Sequence, residues 1–349
     1  MPESALRSRY EEAANRQCNG LAGSYALSTK VDAQNSAPAQ AARPLVLTEA
    51  IPLEGVKGRI DHFGSAGNRL FVSALGNNTV EVIDISARTV VHTITGISNP
   101  QGVVFAADAN QLFAGSSKGK LYIYDGTSFD VIKEIDFHSD VDNVRYDAAN
   151  KRVYVGYGED ETGAIGIVDV TTNERLDEEY KLGAHPESFQ LETSGPNIYA
   201  NLPDLKQIAV INRSTHAISR WAVTLQMNFP MALDETDHRL FVGTGAPARL
   251  AVFDTNSGHM ITALPCVHDT DATFTTMPPA NAFMWQAERD SSTFFNRRML
   301  TTTSFSRRYP RHWAPGQPDI LAKEGRARTA STWRFQRVRA VAQKCGFIP

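Results

Sequence analysis

Short apolar runs separated by tight polar turns recur along this chain from about residue 44 to residue 274. The stretch Tyr146-Asp147-Ala148-Ala149-Asn150-Lys151-Arg152-Val153-Tyr154-Val155-Gly156 is the template, a turn feeding a strand. The same slot holds Asn68-Arg69-Leu70-Phe71-Val72, Asn110-Gln111-Leu112-Phe113-Ala114, Pro196-Asn197-Ile198-Tyr199-Ala200 and His238-Arg239-Leu240-Phe241-Val242. Its aromatic positions, Phe71, Phe113, Tyr154, Tyr199 and Phe241, step by 42, 41, 45 and 42 residues. A period in the low forties built only from short strands predicts an all-β fold, a β-propeller with one four-stranded blade per repeat.

Five repeats follow from this beat, at about 58–97, 98–137, 138–182, 183–225 and 226–267. The third strand of each ends in Asp84, Asp125, Asp169, Asn212 or Asp254, followed by a turn such as Gly126-Thr127-Ser128. Asx side chains in that place bond to the backbone N–H groups of the turn, so the recurrence is structural rather than catalytic. Pro44 to Leu53 reads as an orphan outer strand, a clasp that would complete the last blade and remove open sheet edges. Residues 1–43 are polar and rich in Ala, Ser and Asn, with no periodicity, and are expected to be disordered. Ala37-Pro38-Ala39-Gln40-Ala41-Ala42 resembles the end of a secretory signal, but the apolar run that should precede it is missing.

No run of about 18 apolar residues is present, so no membrane-spanning helix is expected. Cys18, Cys266 and Cys345 lie far apart and make neither a zinc-binding nor a haem-attachment spacing. Cys266 is expected to be a buried small hydrophobe. The net charge of -3 hides an asymmetry, because residues 275–349 carry 13 Lys/Arg against 4 Asp/Glu.

That basic segment also loses the beat. When each codon is taken as the last base of one residue plus the first two bases of the next, Met277–Pro278 gives Ala, Met284–Trp285 gives Val and Trp285–Gln286 gives Ala. Neighbouring pairs permit Tyr-Asp-Ala-Ala-x-Lys-Arg-Ile-Tyr-Val-Ala-Gly-Gly, the template again, and Phe283 sits 42 residues after Phe241. Residues 275–349 therefore read as an out-of-frame remnant of a sixth and seventh blade, leaving five intact blades of a native seven over residues 44–274. Sequencing the coding DNA around Phe274 checks this; an unshifted frame contradicts it. The basic, aromatic tail is then no nucleic-acid surface. The clasp strand is expected to lack its partner sheet, and the chain to be of low stability.

Lys151-Arg152-Val153-Tyr154-Val155-Gly156, followed by Ile165-Gly166-Ile167-Val168-Asp169, resembles the YVTN-type β-propeller family, with Thr-Asn replaced here by Gly-Tyr, Ser-Ala or Gly-Thr. The resemblance implies the bacterial, usually exported, seven-bladed branch, and hence a periplasmic or secreted place. The β-chain of quinoprotein amine dehydrogenases and the propeller of nitrous-oxide reductase are its fold neighbours.

Chemistry is expected at the loops that enter the innermost strands, which lie at the mouth of a propeller's channel. These loops are polar and differ from blade to blade. They supply the candidate ligand-binding residues Asp61, His62, Gln101, Asp142, Asn143, His185, Glu187, Asn228, Asp269 and Asp271. Converging carboxylates and imidazoles are able to hold a divalent metal or a cationic or polyhydroxy ligand. No catalytic residue and no cofactor is signalled. The Gly-rich pieces Gly156-Tyr157-Gly158 and Gly243-Thr244-Gly245 precede no helix and cradle no phosphate. The leading reading is a monomeric, non-catalytic binding scaffold for a protein or small molecule. The alternative is a metal-dependent lactonase-like hydrolase or an accessory protein of a quinoprotein dehydrogenase. A hydrolase would bring the carboxylates together; a scaffold would leave them splayed and solvated.

Overall fold

The computed structural model describes residues 45–266 and, beyond them, the backbone of strands Thr275–Met277, Ala282–Gln286, Ser291–Asn296, Arg307–Pro310 and Trp333–Ala340. Residues 1–43, Asp269 and Asp271 lie outside the described residues. Among the described residues no helix is long and apolar enough to cross a membrane. Short 3-10 turns occur at Leu75–Asn77 and Asp160–Thr162.

Five four-stranded antiparallel sheets follow one another, each with its strands in sequence order. Their first strands are Phe63–Ala66, Pro100–Ala106, Val141–Asp147, Ser188–Leu191 and Gln226–Asp234. Each of the first four lies against the first strand of the next sheet, which makes the five the innermost strands of successive blades. This is the β-propeller that the beat predicts.

The second strands explain why the repeat is so apolar. In Gln111–Ser116, Leu112 and Ala114 pack with Phe71, Val80 and Val82 of the first blade, while Phe113 packs with Val144, Val153 and Val155 of the third. A strand covered on both faces cannot alternate with polar residues, and a near-continuous hydrophobic run results. The same handover joins Tyr154 to Phe189 and Ile198, and Tyr199 to Leu240, Val242 and Phe253. All five aromatic residues of the beat are buried, none more than 2% exposed. Fully burying one such side chain contributes roughly 1.5–3 kcal/mol. Cys266 is buried as expected, beside Ala232, Phe241, Leu250 and Val252.

Outer strands show the opposite pattern. Thr89–Ile94 and Val131–Asp136 are mostly exposed. The Asx turns form as expected: Asp125 accepts from the Thr127 and Ser128 N–H groups, both at 2.8 Å, and Asn212 from Ser214 and Thr215 at 3.0 and 2.9 Å. Asp84, Asp169 and Asp254 do the same in their blades.

Two findings bear on the ends of the propeller, and the second differs from the expectation. Backbone strands between Thr275 and Pro310 form a further four-stranded sheet, with Phe283 on its second strand. The clasp strand Leu45–Leu53 does not lack a partner, because it pairs antiparallel with Trp333–Ala340, from Leu45 opposite Ala340 to Leu53 opposite Trp333. The physical reason is local. Residues 333–340, Trp-Arg-Phe-Gln-Arg-Val-Arg-Ala, alternate apolar with polar side chains except at Gln336-Arg337, a strand-forming pattern whatever its origin. Ile51 and Leu53 of the clasp then pack on Leu70, Val72 and Ile83 of the first blade.

Candidate functional site at the ends of the innermost strands

The polar loops of three blades meet around Asp142. Backbone pairing sets each in place: Asp61 N–H donates to Ser73 and Ser73 N–H to His62, both at 2.9 Å, extending the first blade's inner strand into the site. Gly158 N–H donates to the Asp140 carbonyl at 2.9 Å in the third blade, and Glu187 N–H to the Asn201 carbonyl at 3.2 Å in the fourth. Two glycines allow these backbones to approach. A Cβ on Gly102 would stand 2.1 Å from the Asp142 carbonyl oxygen, and one on Gly163 would stand 1.8 Å from that of Ala184, next to His185.

Asp142 presents one oxygen to each side. Its Oδ1 lies 3.9 Å from His62 Nδ1 of the first blade, and its Oδ2 lies 3.6 Å from His185 Nε2 of the fourth. His62 Nδ1 also stands 3.2 Å from Asp61 Oδ2, while Arg59 donates to Asp61 Oδ1 at 2.8 Å. On the other side, Glu187 Oε2 is 3.9 Å from His185 Nε2. His185 Nδ1 donates to the Gly158 carbonyl at 2.5 Å, which leaves Nε2 facing the carboxylates. Asn143 ties the two halves together, its Nδ2 donating to Asp142 Oδ2 at 3.1 Å and to the Glu187 carbonyl at 2.6 Å. The potential ligand atoms of Asp61, His62 and Asp142 lie within 4.8 Å of one another, as do those of Asp142, His185 and Glu187.

The electrostatics follow from burial and charge. Burial pushes the His62 imidazole down, but the Asp61 and Asp142 carboxylates overcome it and hold the pKa at about 9. Burial likewise opposes charge on His185, and Asp142 and then Glu187 raise it to about 10. For Asp61, burial acts upward, yet His62 and Arg59 keep its carboxyl below the usual range. Arg145 is pushed down to about 10 by burial, with Asp142 partly offsetting the shift.

Six of the sequence candidates, Asp61, His62, Asp142, Asn143, His185 and Glu187, are thus brought together. Asn228 is not among them. It is fully buried and donates to Asn201 Oδ1 at 3.2 Å and to the Gln207 carbonyl at 3.3 Å, inside a ladder that ties the fourth blade to the fifth. Gln101 is half-buried on the second blade, with its Oε1 buried and unbonded. Arg145 escaped the sequence reading. Its one signal was register, since it lies opposite Tyr154 in the slot where the second blade has Val104 opposite Phe113.

The class this fold defines is the β-propeller. A solved structure described as Kuenenia stuttgartiensis hydrazine synthase is similar, with a TM-score of 0.62 over 71% of this chain and 80% of that one, at 14% identity. A likeness at that identity speaks for the fold alone. No protein-family model and no curated protein matches the chain.

Proposed function

We propose that this protein is a non-catalytic binding β-propeller of the exported YVTN-like kind, which takes a small cationic or polyhydroxy ligand at the channel end around Asp142. The observation that carries the reading is the surplus of acceptors there. Asn143 Oδ1 is buried without a hydrogen-bond partner, and the Asp142 carboxylate faces the two imidazoles only at 3.6 and 3.9 Å, beyond hydrogen-bond distance. Buried acceptors left unpaired cost about 1–3 kcal/mol each, so a ligand bringing O–H or N–H donors recovers that energy. The apolar repeat gives no structural reason for such groups, and their differences between blades suit recognition by a rigid scaffold.

The test is thermal melting of the full chain with monosaccharides, myo-inositol and putrescine. A ligand at a hundred times its Kd stabilises by about 2.7 kcal/mol. For a chain of this size that raises Tm by roughly 4 °C. The reading expects one of these probes to do so in the wild type and not in Asp142→Asn. No shift with any probe, or a shift unchanged in Asp142→Asn, contradicts it.

A second reading, the lactonase-like hydrolase, is favoured by the closeness of Asp142 to Asp61 on one side and to Glu187 on the other. Lactone hydrolysis by the metal-supplemented chain that disappears in Asp142→Asn would select it over the scaffold.

A further inference from the structure

We propose that Asp142, His185 and Glu187 hold one transition-metal ion, while Arg59, Asp61 and His62 on the opposite side of Asp142 take none. The inference rests on the reading of this channel end as the binding site, and it names the ion that would anchor a ligand there.

Geometry separates the two halves of the cluster. His185 Nδ1 is bonded to the Gly158 carbonyl, so Nε2 points at two carboxylates, at 3.6 Å from Asp142 Oδ2 and 3.9 Å from Glu187 Oε2. At these distances neither carboxylate oxygen is within hydrogen-bond range of Nε2. A metal behaves differently, because bonds of about 2.1 Å in a tetrahedral sphere set ligand atoms about 3.4 Å apart. The observed spacings are close to that edge and contract to it with small side-chain rotations. A backbone carbonyl holding the far ring nitrogen is also the usual support for a metal-binding imidazole.

The first-blade half is already balanced. Asp61 receives the Arg59 guanidinium at 2.8 Å and lies 3.2 Å from His62, so a dication there would displace or repel existing positive charge. One imidazole and two carboxylates select the borderline ions zinc, cobalt or nickel over calcium or magnesium. Asn143, 1% exposed and bonded through Nδ2 to both sides, leaves its Oδ1 buried and unbonded beside this position.

The experiment strips the full chain with chelator, then titrates it with zinc by calorimetry and with cobalt by visible absorption. The expected result is one equivalent of zinc, a cobalt spectrum of low coordination number, and affinity reduced more than about tenfold in both His185→Gln and Glu187→Gln. His62→Gln should keep one equivalent with a loss of less than about tenfold, since His62 is not a ligand. Two equivalents, binding unchanged in His185→Gln, or calcium preferred to zinc would each overturn the assignment. A probe-induced Tm shift that persists in chelator would leave the binding reading standing and remove the metal. Zinc binding without any probe-induced shift would do the reverse.

Discussion

Asp142 is the residue on which the site turns, because each of its oxygens serves a different blade. It raises both His62 and His185 while both are largely buried, and the sign of that effect makes a prediction. A histidine whose folded pKa lies above its ordinary value near about 6.5 stabilises the fold below that pH and loses the contribution as pH rises through the folded pKa. The metal-free protein is therefore expected to lose thermal stability between about pH 7 and pH 10, and Asp142→Asn to show a shallower decline. A melting temperature flat over that window, or an identical slope in the variant, would contradict the pairing. The residues of this site were legible as misfits, since Asp61, His62, Asp142, His185 and Glu187 interrupt a repeat that otherwise needs apolar or turn residues. Which of them meet was not legible, because the contacts cross between blades about 40–120 positions apart. Asn228 looked identical to the others and is spent on the Asn201 ladder.

At the scale of the element, the turn after each third strand shows how one chemical feature repeats with two different residues. Asp125 and Asn212 accept the same pair of backbone N–H bonds at similar distances. The charge adds a pH dependence that the amide lacks, for the backbone N–H groups of Ser128 and Thr127 lower the Asp125 pKa. Stability from a depressed carboxylate is present above its unfolded pKa and lost as pH falls. Asp125→Asn is expected to melt like the wild type at pH 7 and to be less acid-sensitive below about pH 4, whereas Asp125→Ala loses stability at both. Melts of the two variants at both pH values check this; equal losses in Asn and Ala would show that the side-chain bonds contribute nothing. Strand identity was easy to read because both faces of the second strands are covered, as Leu112 and Phe113 show on opposite sides of one strand. Close backbone approaches were not readable: nothing in the sequence tells that Gly102 lies against Asp142 and Gly96 against open space.

For the whole molecule, the beat of the aromatic residues predicted the sequence of blades, and the innermost strands do pack one against the next. The closure was misjudged, since the clasp strand pairs with residues 333–340. The shifted-frame origin of residues 275–349 stays a proposal, motivated by the codon argument and by Phe283 falling on the beat. The functional account depends on a property only the assembled ring supplies, the meeting of blades one, three and four at a single carboxylate. Nitrogen-15 imidazole titration of the metal-free full chain tests it most directly. The account predicts that His62 and His185 titrate near about 9 and 10 and that Asp142→Asn lowers both together. Two histidines titrating at ordinary values, or only one of them responding to the substitution, would contradict it.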